Sequence, residues 1–348
     1  MNELYEIGLR LGAGILVLAA ALIVSLILKG IDRKFAAWLQ ARVGPPIRQP
    51  FWDVFKLFQK ENVVPERAVP WAFNGAPLVA FLASLLLLFF VPLGPVDGVM
   101  EELGGLNPIL GGYGDIILLI YLMAIPGLMM AIGGFASGSP LATVGAQREM
   151  VMMMSYEFPL AIVILAVVWR VSRLDAGIEA FNLGEIADPA NALWDQSGMG
   201  PMGIIGLLLL AAVFFLIIPS ELSKIPFDAP EAETEIGGGI IAEYSGTNLA
   251  MFYLSDSVKT LAFTALAVAL FFPYNFSPVV GLDGWPAFAV DMAFWFIKIE
   301  VLYFLAVTVI RVGAARLKID FMSWLYLIPL SVIAIVGTFL LYLDTIVG

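Results

Sequence analysis

The residues of this chain best placed to do chemistry are ionisable groups set inside otherwise apolar sequence. Glu157 interrupts an apolar run, and Glu149 lies eight residues earlier beside Arg148, about two helical turns away on one face. Asp256 and Lys259 form an i,i+3 pair at the start of another run, and Lys298 and Glu300 sit near one third of the next. An ion at the centre of a membrane helix costs roughly 2.5–3.5 kcal/mol on insertion scales, so these groups are expected to face protein or water, paired or partly neutralised. Asp256 and Lys259 fit a structural ion pair. Glu157 has no cation within helical reach after Arg148, and desolvation disfavours the charged form of a carboxyl, which suits proton uptake and release.

A second concentration of acid lies in SELSKIPFDAPEAETEIGGGIIAEYSG, residues 220–246. It holds Glu221, Asp228, Glu231, Glu233, Glu235 and Glu243 against a single Lys224. Asp228 and Glu231 have capping-box spacing with Pro230 tolerable in a first turn, so helix capping accounts for those two as well as function does. Capping does not account for Glu233 and Glu235, and Gly237, Gly238 and Gly239 would break a helix directly afterwards. Such a cluster could relay protons, contact a basic partner or bind a cation. Further upstream, Phe51, Val54, Phe55 and Phe58 follow helical spacing while Asp53, Lys56 and Lys60 fall on another stripe. That pattern predicts an amphipathic helix at the membrane interface, either a plain anchor with a solvated charged face or the wall of a cavity. Gly44, Pro45, Pro46 and Pro50 set a rigid approach to it.

What must position these groups is a membrane protein. The 348 residues are 61% hydrophobic and only 14% charged, where a soluble domain carries about a quarter charged residues. With no cysteine and no histidine, thiolate zinc sites, iron–sulfur clusters, histidine-ligated haem and imidazole bases are excluded from this chain. Any electron transfer must lie in another subunit. A net charge of −11 gives no basic footprint for nucleic acid. Charge-free runs predict eight membrane helices near residues 11–28, 76–93, 116–135, 150–169, 202–219, 260–282, 292–310 and 321–343, in one all-α polytopic domain over 1–348. The first is too long for a removable signal and lacks a small-residue cleavage site. With the N-terminus outside, the inward segments are 29–75, 134–149, 220–247 and 311–320. They hold 13 of the 18 Lys and Arg residues, which favours N-out and C-out. The outward stretches 95–115 and 172–200 read as connecting loops. The acidic stretch therefore lies on the side where cations normally dominate.

Five blocks, in order along most of the chain, carry a resemblance: DRKFAAWLQARVGPP (32–46), QPFWDVFKLFQKE (49–61), SYEFP (155–159), IPFDAPEAETE with AEYSG (225–246), and RVGAARLKID (311–320). Together they resemble the H subunit of NADH–quinone oxidoreductase, subunit 1 in mitochondria, and its relatives in membrane-bound nickel–iron hydrogenases and sulfane sulfur reductases. The resemblance implies a subunit in the cell membrane that joins a membrane arm to a peripheral redox arm. By motif, Glu157, Glu231, Glu233, Glu235 and Glu243, with Glu221 and Asp228, are implied coupling groups. Glu149, Asp256, Lys259, Lys298 and Glu300 extend that ion pathway. Arg33, Arg42, Arg48, Asp53, Lys56, Lys60, Glu61, Arg148, Arg311, Arg316 and Asp320 would shape the junction. Implied partners are hydrogenase-like large and small subunits, an iron–sulfur protein, antiporter-like membrane subunits and the lipid bilayer. Iron–sulfur and nickel–iron centres would belong to those partners, with no cofactor or metal in this chain.

GPPIRQP closes to a few residues a connection that is longer in quinone-reducing members, where it forms part of the quinone entrance. That shortening puts quinone binding in doubt and, with Arg148-Glu149 before SYE, resembles the hydrogenase branch. The expected function is ion-translocating coupling, of H⁺ or Na⁺, in a hydrogenase or sulfane sulfur reductase complex. The alternatives are the quinone-binding member of the same family and, from another class, a stand-alone cation transporter, for which no paired repeat or interrupted half-helix is evident.

Overall fold

A computed structural model describes residues 2–94, 115–173, 180–195 and 199–347. Of the outward stretches expected as connecting loops, 95–114 lies outside the described residues, while most of 172–200 is described and holds short helical turns at Leu183–Ile186, Pro189–Asn191 and Leu193–Asp195. Eight described helices are long and apolar enough to cross a membrane. We label the long helices α1 (Asn2–Leu39), α2 (Gln49–Gln59), α3 (Pro70–Leu87), α4 (Ile116–Ala136), α5 (Pro140–Val171), α6 (Pro201–Glu221), α7 (Gly246–Phe271), α8 (Trp285–Gly313) and α9 (Ile319–Ile346). All but α2 span. No β-strand occurs among the described residues beyond an isolated bridge between Asp115 and Asn182.

The helix starts follow local chemistry. Pro stands in the first turn of α2, α3, α5, α6 and α8, where its missing N–H loses no helical bond. Asp115 caps α4 by accepting from the Ile117 amide at 2.8 Å. Both α8 and α9 carry a π-helical turn, at Phe304–Val309 and Tyr326–Leu330. The second contains Pro329, whose missing N–H removes a helical bond, while the first has no such mark in the sequence.

Span number matches the expectation, while several boundaries move. The third element was expected from residue 76 and begins at Pro70. The fifth begins at Pro140 rather than 150. The largest shift is in α7, which runs Gly246–Phe271 where 260–282 was expected. Its apolar window is 94% buried, against 33% to 56% in the other spans, so α7 is the central helix. A helix enclosed by protein can carry Asp256 and Lys259 well inside it, which a rule built on charge-free runs cannot anticipate.

Because spans alternate, the connections following α1, α4, α6 and α8 gather at one end of the bundle. They are knitted together there. The Val69 amide donates to the Ala136 carbonyl at 2.8 Å, the Leu317 amide donates to the Pro226 carbonyl at 3.2 Å, and Ser245 Oγ donates to the Glu61 carbonyl at 3.2 Å. Gly30 of α1 permits one close approach: a Cβ there would lie 2.1 Å from the Ile47 carbonyl oxygen.

Candidate functional site: a charged cavity at the knitted end

A cavity of about 560 Å³ reaches between α1, α2, α4, α5, α6, α7 and α8, and the α1–α3 and α6–α7 connections contribute to its lining. Its lining is ordered from the mouth inward. At the mouth, Asp53, Lys56, Leu57 and Lys60 of α2 face the cavity, while Trp52, Phe55 and Phe58 of the same helix are exposed on its other side and Val54 is buried. Arg33 of α1 donates to Asp53 at 2.6 Å and to the Tyr253 hydroxyl at 2.8 Å. Burial alone would raise the Asp53 carboxyl, but hydrogen bonds from Arg33 and Gln49 outweigh it and hold Asp53 below the usual carboxylate range.

Further in, Asp256 of α7 meets Lys29 of α1 at 2.6 Å and Lys224 of the α6–α7 connection at 2.9 Å. Burial would lower Lys224, yet the Asp256 carboxylate beside it raises it above the ordinary lysine value. Beside this cluster, Glu231 lines the cavity. Burial pushes its carboxyl up to about 7, against the partial relief of Lys224. Asp32 of α1 accepts from Thr308 at 2.6 Å and pairs with Arg311 at 3.0 Å, so the π-helical turn of α8 and the residues after it converge on one carboxylate.

At the inner end, Lys259 of α7 lies 2.7 Å from Glu221 Oε1 of α6, with side chains only 7% and 2% exposed against 33% and 29% for Arg33 and Asp53. Glu221 Oε1 has no partner at hydrogen-bond geometry, so this contact is chiefly Coulombic. Glu149 of α5 is buried on the same wall. Its room comes from Gly127 of α4, where a Cβ would lie 2.9 Å from Glu149 Oε1. The arrangement thus lines up acids and cations, several of them buried, from the bundle end into its centre. Groups so placed can exchange protons or hold counter-ions; no cluster among the described residues has the make-up of a transition-metal site.

Comparison with known proteins gives this geometry a setting. A family model described as NADH dehydrogenase matches residues 12–339. The chain belongs to the family of NADH dehydrogenase H subunits. Among curated relatives, the H subunit of the NADH-quinone oxidoreductase of Geobacillus kaustophilus is 33% identical over 347 residues, covering 96% of this chain and 94% of the relative. The corresponding H 2 subunit of Syntrophobacter fumaroxidans is 32% identical over 336 residues, covering 93% and 92%. Among solved structures, a chain of the membrane-bound sulfane sulfur reductase, an archaeal respiratory membrane complex, superposes with a TM-score of 0.79 at 26% identity, over 95% of this chain and 99% of that one. This member of the family is a multi-pass membrane protein with relatives in multi-subunit respiratory complexes.

The residues singled out in its sequence are distributed unevenly in the structure. Glu149, Glu221, Glu231, Asp256 and Lys259 line the cavity, with Arg33, Asp53, Lys56, Lys60 and Arg311. Glu157 is half-buried on α5 and does not line it, although it lies within the electrostatic reach of Glu221 and Lys259. Eight residues advance a helix by about 80° beyond two full turns, so Glu157 lies toward the edge of the face that carries Glu149. Asp256 and Lys259 are not paired with each other; each is paired across helices instead. Asp228 makes no side-chain cap bond and is held by Arg316 at 2.7 Å. Glu235 pairs with Arg148 at 2.5 Å, Glu233 is exposed and Glu243 half-buried. Lys298 donates to the Phe272 and Tyr274 carbonyls at 2.9 and 2.7 Å, tying α8 to the far end of α7. Glu300 keeps one buried oxygen without a partner among the described residues. Arg42 bonds Gln40, Arg48 precedes α2, and Glu61 and Asp320 are exposed beyond the cavity.

Lys29, Asp32, Lys224 and Tyr253 also line the cavity and were not singled out as site residues. Lys29, Asp32 and Arg33 follow the first apolar run on a continuing helix. Acid and base at i,i+3 in that place could have marked a polar face turned inward.

Proposed function

We propose that this subunit couples redox chemistry in a peripheral arm to H⁺ or Na⁺ movement in the membrane, within a complex of the sulfane sulfur reductase or hydrogenase type. One observation carries the reading: the buried Lys259–Glu221 pair and Glu149 form the inner end of a cavity whose mouth lies among the connections gathered at one end of the bundle. Those connections are expected to face inward and to receive hydrogenase-like and iron–sulfur subunits, whose centres would hold the electrons. A change of charge or position there would alter the protonation of Glu231 and Glu149, and antiporter-like subunits alongside would take up the response. The test is Glu149→Gln in the intact complex, which keeps shape and removes the charge. Turnover continuing with ion translocation lost is the expected outcome; translocation at full strength would end the proposal.

A second reading has support in the relatives named as H subunits of NADH-quinone oxidoreductases, which would make the cavity a quinone site. Charged side chains make up much of its lining beside Met130, Leu249 and Phe252, which suits water and ions better than an apolar ring, and the short 44–50 connection argues the same way. Quinone co-purifying with the complex, or inhibition by quinone-site ligands, would reverse that preference.

A further inference from the structure

Asp256 holds two lysines on a single oxygen. Its Oδ2 lies 2.6 Å from Lys29 Nζ and 2.9 Å from Lys224 Nζ. The two ammonium groups are therefore no further apart than these contacts laid end to end, and they repel each other. They are not held equally. Lys29 is buried, also donates to the Tyr253 carbonyl at 3.2 Å, and sits 3.9 Å over the Tyr253 ring centroid. Lys224 stands in the α6–α7 connection, and among the described residues the one hydrogen bond of its ammonium group is to Asp256. A lysine is a point charge on a flexible stem with three rotatable donors, so Lys224 is the cation free to leave.

A second carboxylate waits in the same cavity. Glu231 belongs to the same connection as Lys224, and of its charged neighbours Lys224 acts on it most strongly. We propose that Lys224 is a movable cation shared by two carboxylates: it rests on Asp256 while Glu231 is protonated, and passes to Glu231 when that group gives its proton to cavity water, leaving Asp256 to Lys29 alone. Only a proton and an ammonium group move.

Most of the other charges facing this pair are already engaged. Around Glu231 these are Asp256 and Lys29, with Asp228 and Glu149; Asp32 acts on Lys224. Asp228 is taken by Arg316 and Asp32 by Arg311. Burial brings the Glu231 carboxyl up to about 7, so the exchange would fall near neutral pH. The hand-over halves the number of cations on a carboxylate of the central helix. A charge change in the connection thereby becomes a charge change inside the bundle. Its purpose rests on the proposed coupling role; its geometry does not.

The test uses the intact complex, imaged by high-resolution electron cryo-microscopy at about pH 5.5 and about pH 8.5, with pH profiles of turnover for Lys224→Gln, Lys224→Arg and Asp256→Asn. Lys224 is expected on Asp256 at the lower pH and on Glu231 at the higher. Lys224→Gln should raise the profile midpoint by about one pH unit, Asp256→Asn should lower it, and Lys224→Arg should preserve it. Lys224 remaining on Asp256 in both maps, or shifts of one sign in the first two variants, would overturn the proposal. If a variant fails to assemble, the two wild-type maps decide alone. Both expected results alongside full translocation in Glu149→Gln would sink the coupling proposal and leave this one standing.

Discussion

Replacing Lys259 by Met leaves Glu221 facing the buried end of the cavity without its cation. The side chains are 2.7 Å apart and only 7% and 2% exposed, so water cannot make good the loss. Breaking a buried pair by removing one partner costs about 3–5 kcal/mol, because a charge is left behind without compensation. Protonation of the stranded carboxyl offers an escape route, so the penalty in Lys259→Met should lie at the lower end of that range, about 3 kcal/mol at neutral pH. Removing both partners, as Lys259→Met with Glu221→Met, should return stability to within about 1 kcal/mol of wild type, since apolar replacement of a buried pair is often neutral. The assay is the half-life of thermal inactivation of the complex in native membranes at pH 7. Three kcal/mol corresponds to a shortening of up to roughly a hundred-fold. A single variant as durable as wild type at pH 7, or a double variant no better than the single, would refute the reasoning.

Other expectations concern neighbouring residues. The Glu231 carboxyl lies at about 7 when folded, against 4.5 ordinarily, so the folded state holds its proton more tightly. Its contribution to stability is lost as pH rises from 4.5 through 7, on the order of 2–3 kcal/mol after allowance for partial solvent contact. Glu231→Gln should match wild type near pH 4.5 and exceed it at pH 8; parallel unfolding curves across that range would contradict this. Gly127→Ala places a Cβ 2.9 Å from Glu149 Oε1, close enough to displace it, and should depress ion translocation several-fold while the complex assembles in normal yield, read by subunit content against pumping. Gly30→Ala puts a Cβ 2.1 Å from the Ile47 carbonyl oxygen, which only backbone movement can relieve. It should destabilise by about 1–3 kcal/mol, seen as faster proteolysis of the α1–α2 connection.

The number of spans was legible because apolar runs of this length have few other uses. Their edges were less so. In α7 the charge-free criterion pushed the helix more than a turn toward its far end, because Asp256 and Lys259 are paired with Lys29 and Glu221, residues that no local window contains. Pro70 and Pro140 did mark helix starts, but hydropathy alone passed over them. The acidic stretch was visible as composition, though not its division of labour. Glu231 lines the cavity, Asp228 is taken up by Arg316 and Glu235 by Arg148, while Glu233 faces outward. That division depends on which of the four connections lies nearest, a property of tertiary structure. The π-helical turn of α8 that aims Thr308 and Arg311 at Asp32 leaves no periodic trace either.

The wide separation of partners along the chain bears on how the protein is made. Lys29 bonds a carbonyl 224 positions later, and Asp32 accepts from a hydroxyl 276 positions later. At roughly 5–20 residues per second of synthesis, α1 waits on the order of ten to fifty seconds for them. During that interval its charged end has no interior to enter and must stay at the water interface. Helix α1, made long before its partners, is therefore among the last to settle, and its docking must await both α7 and α8.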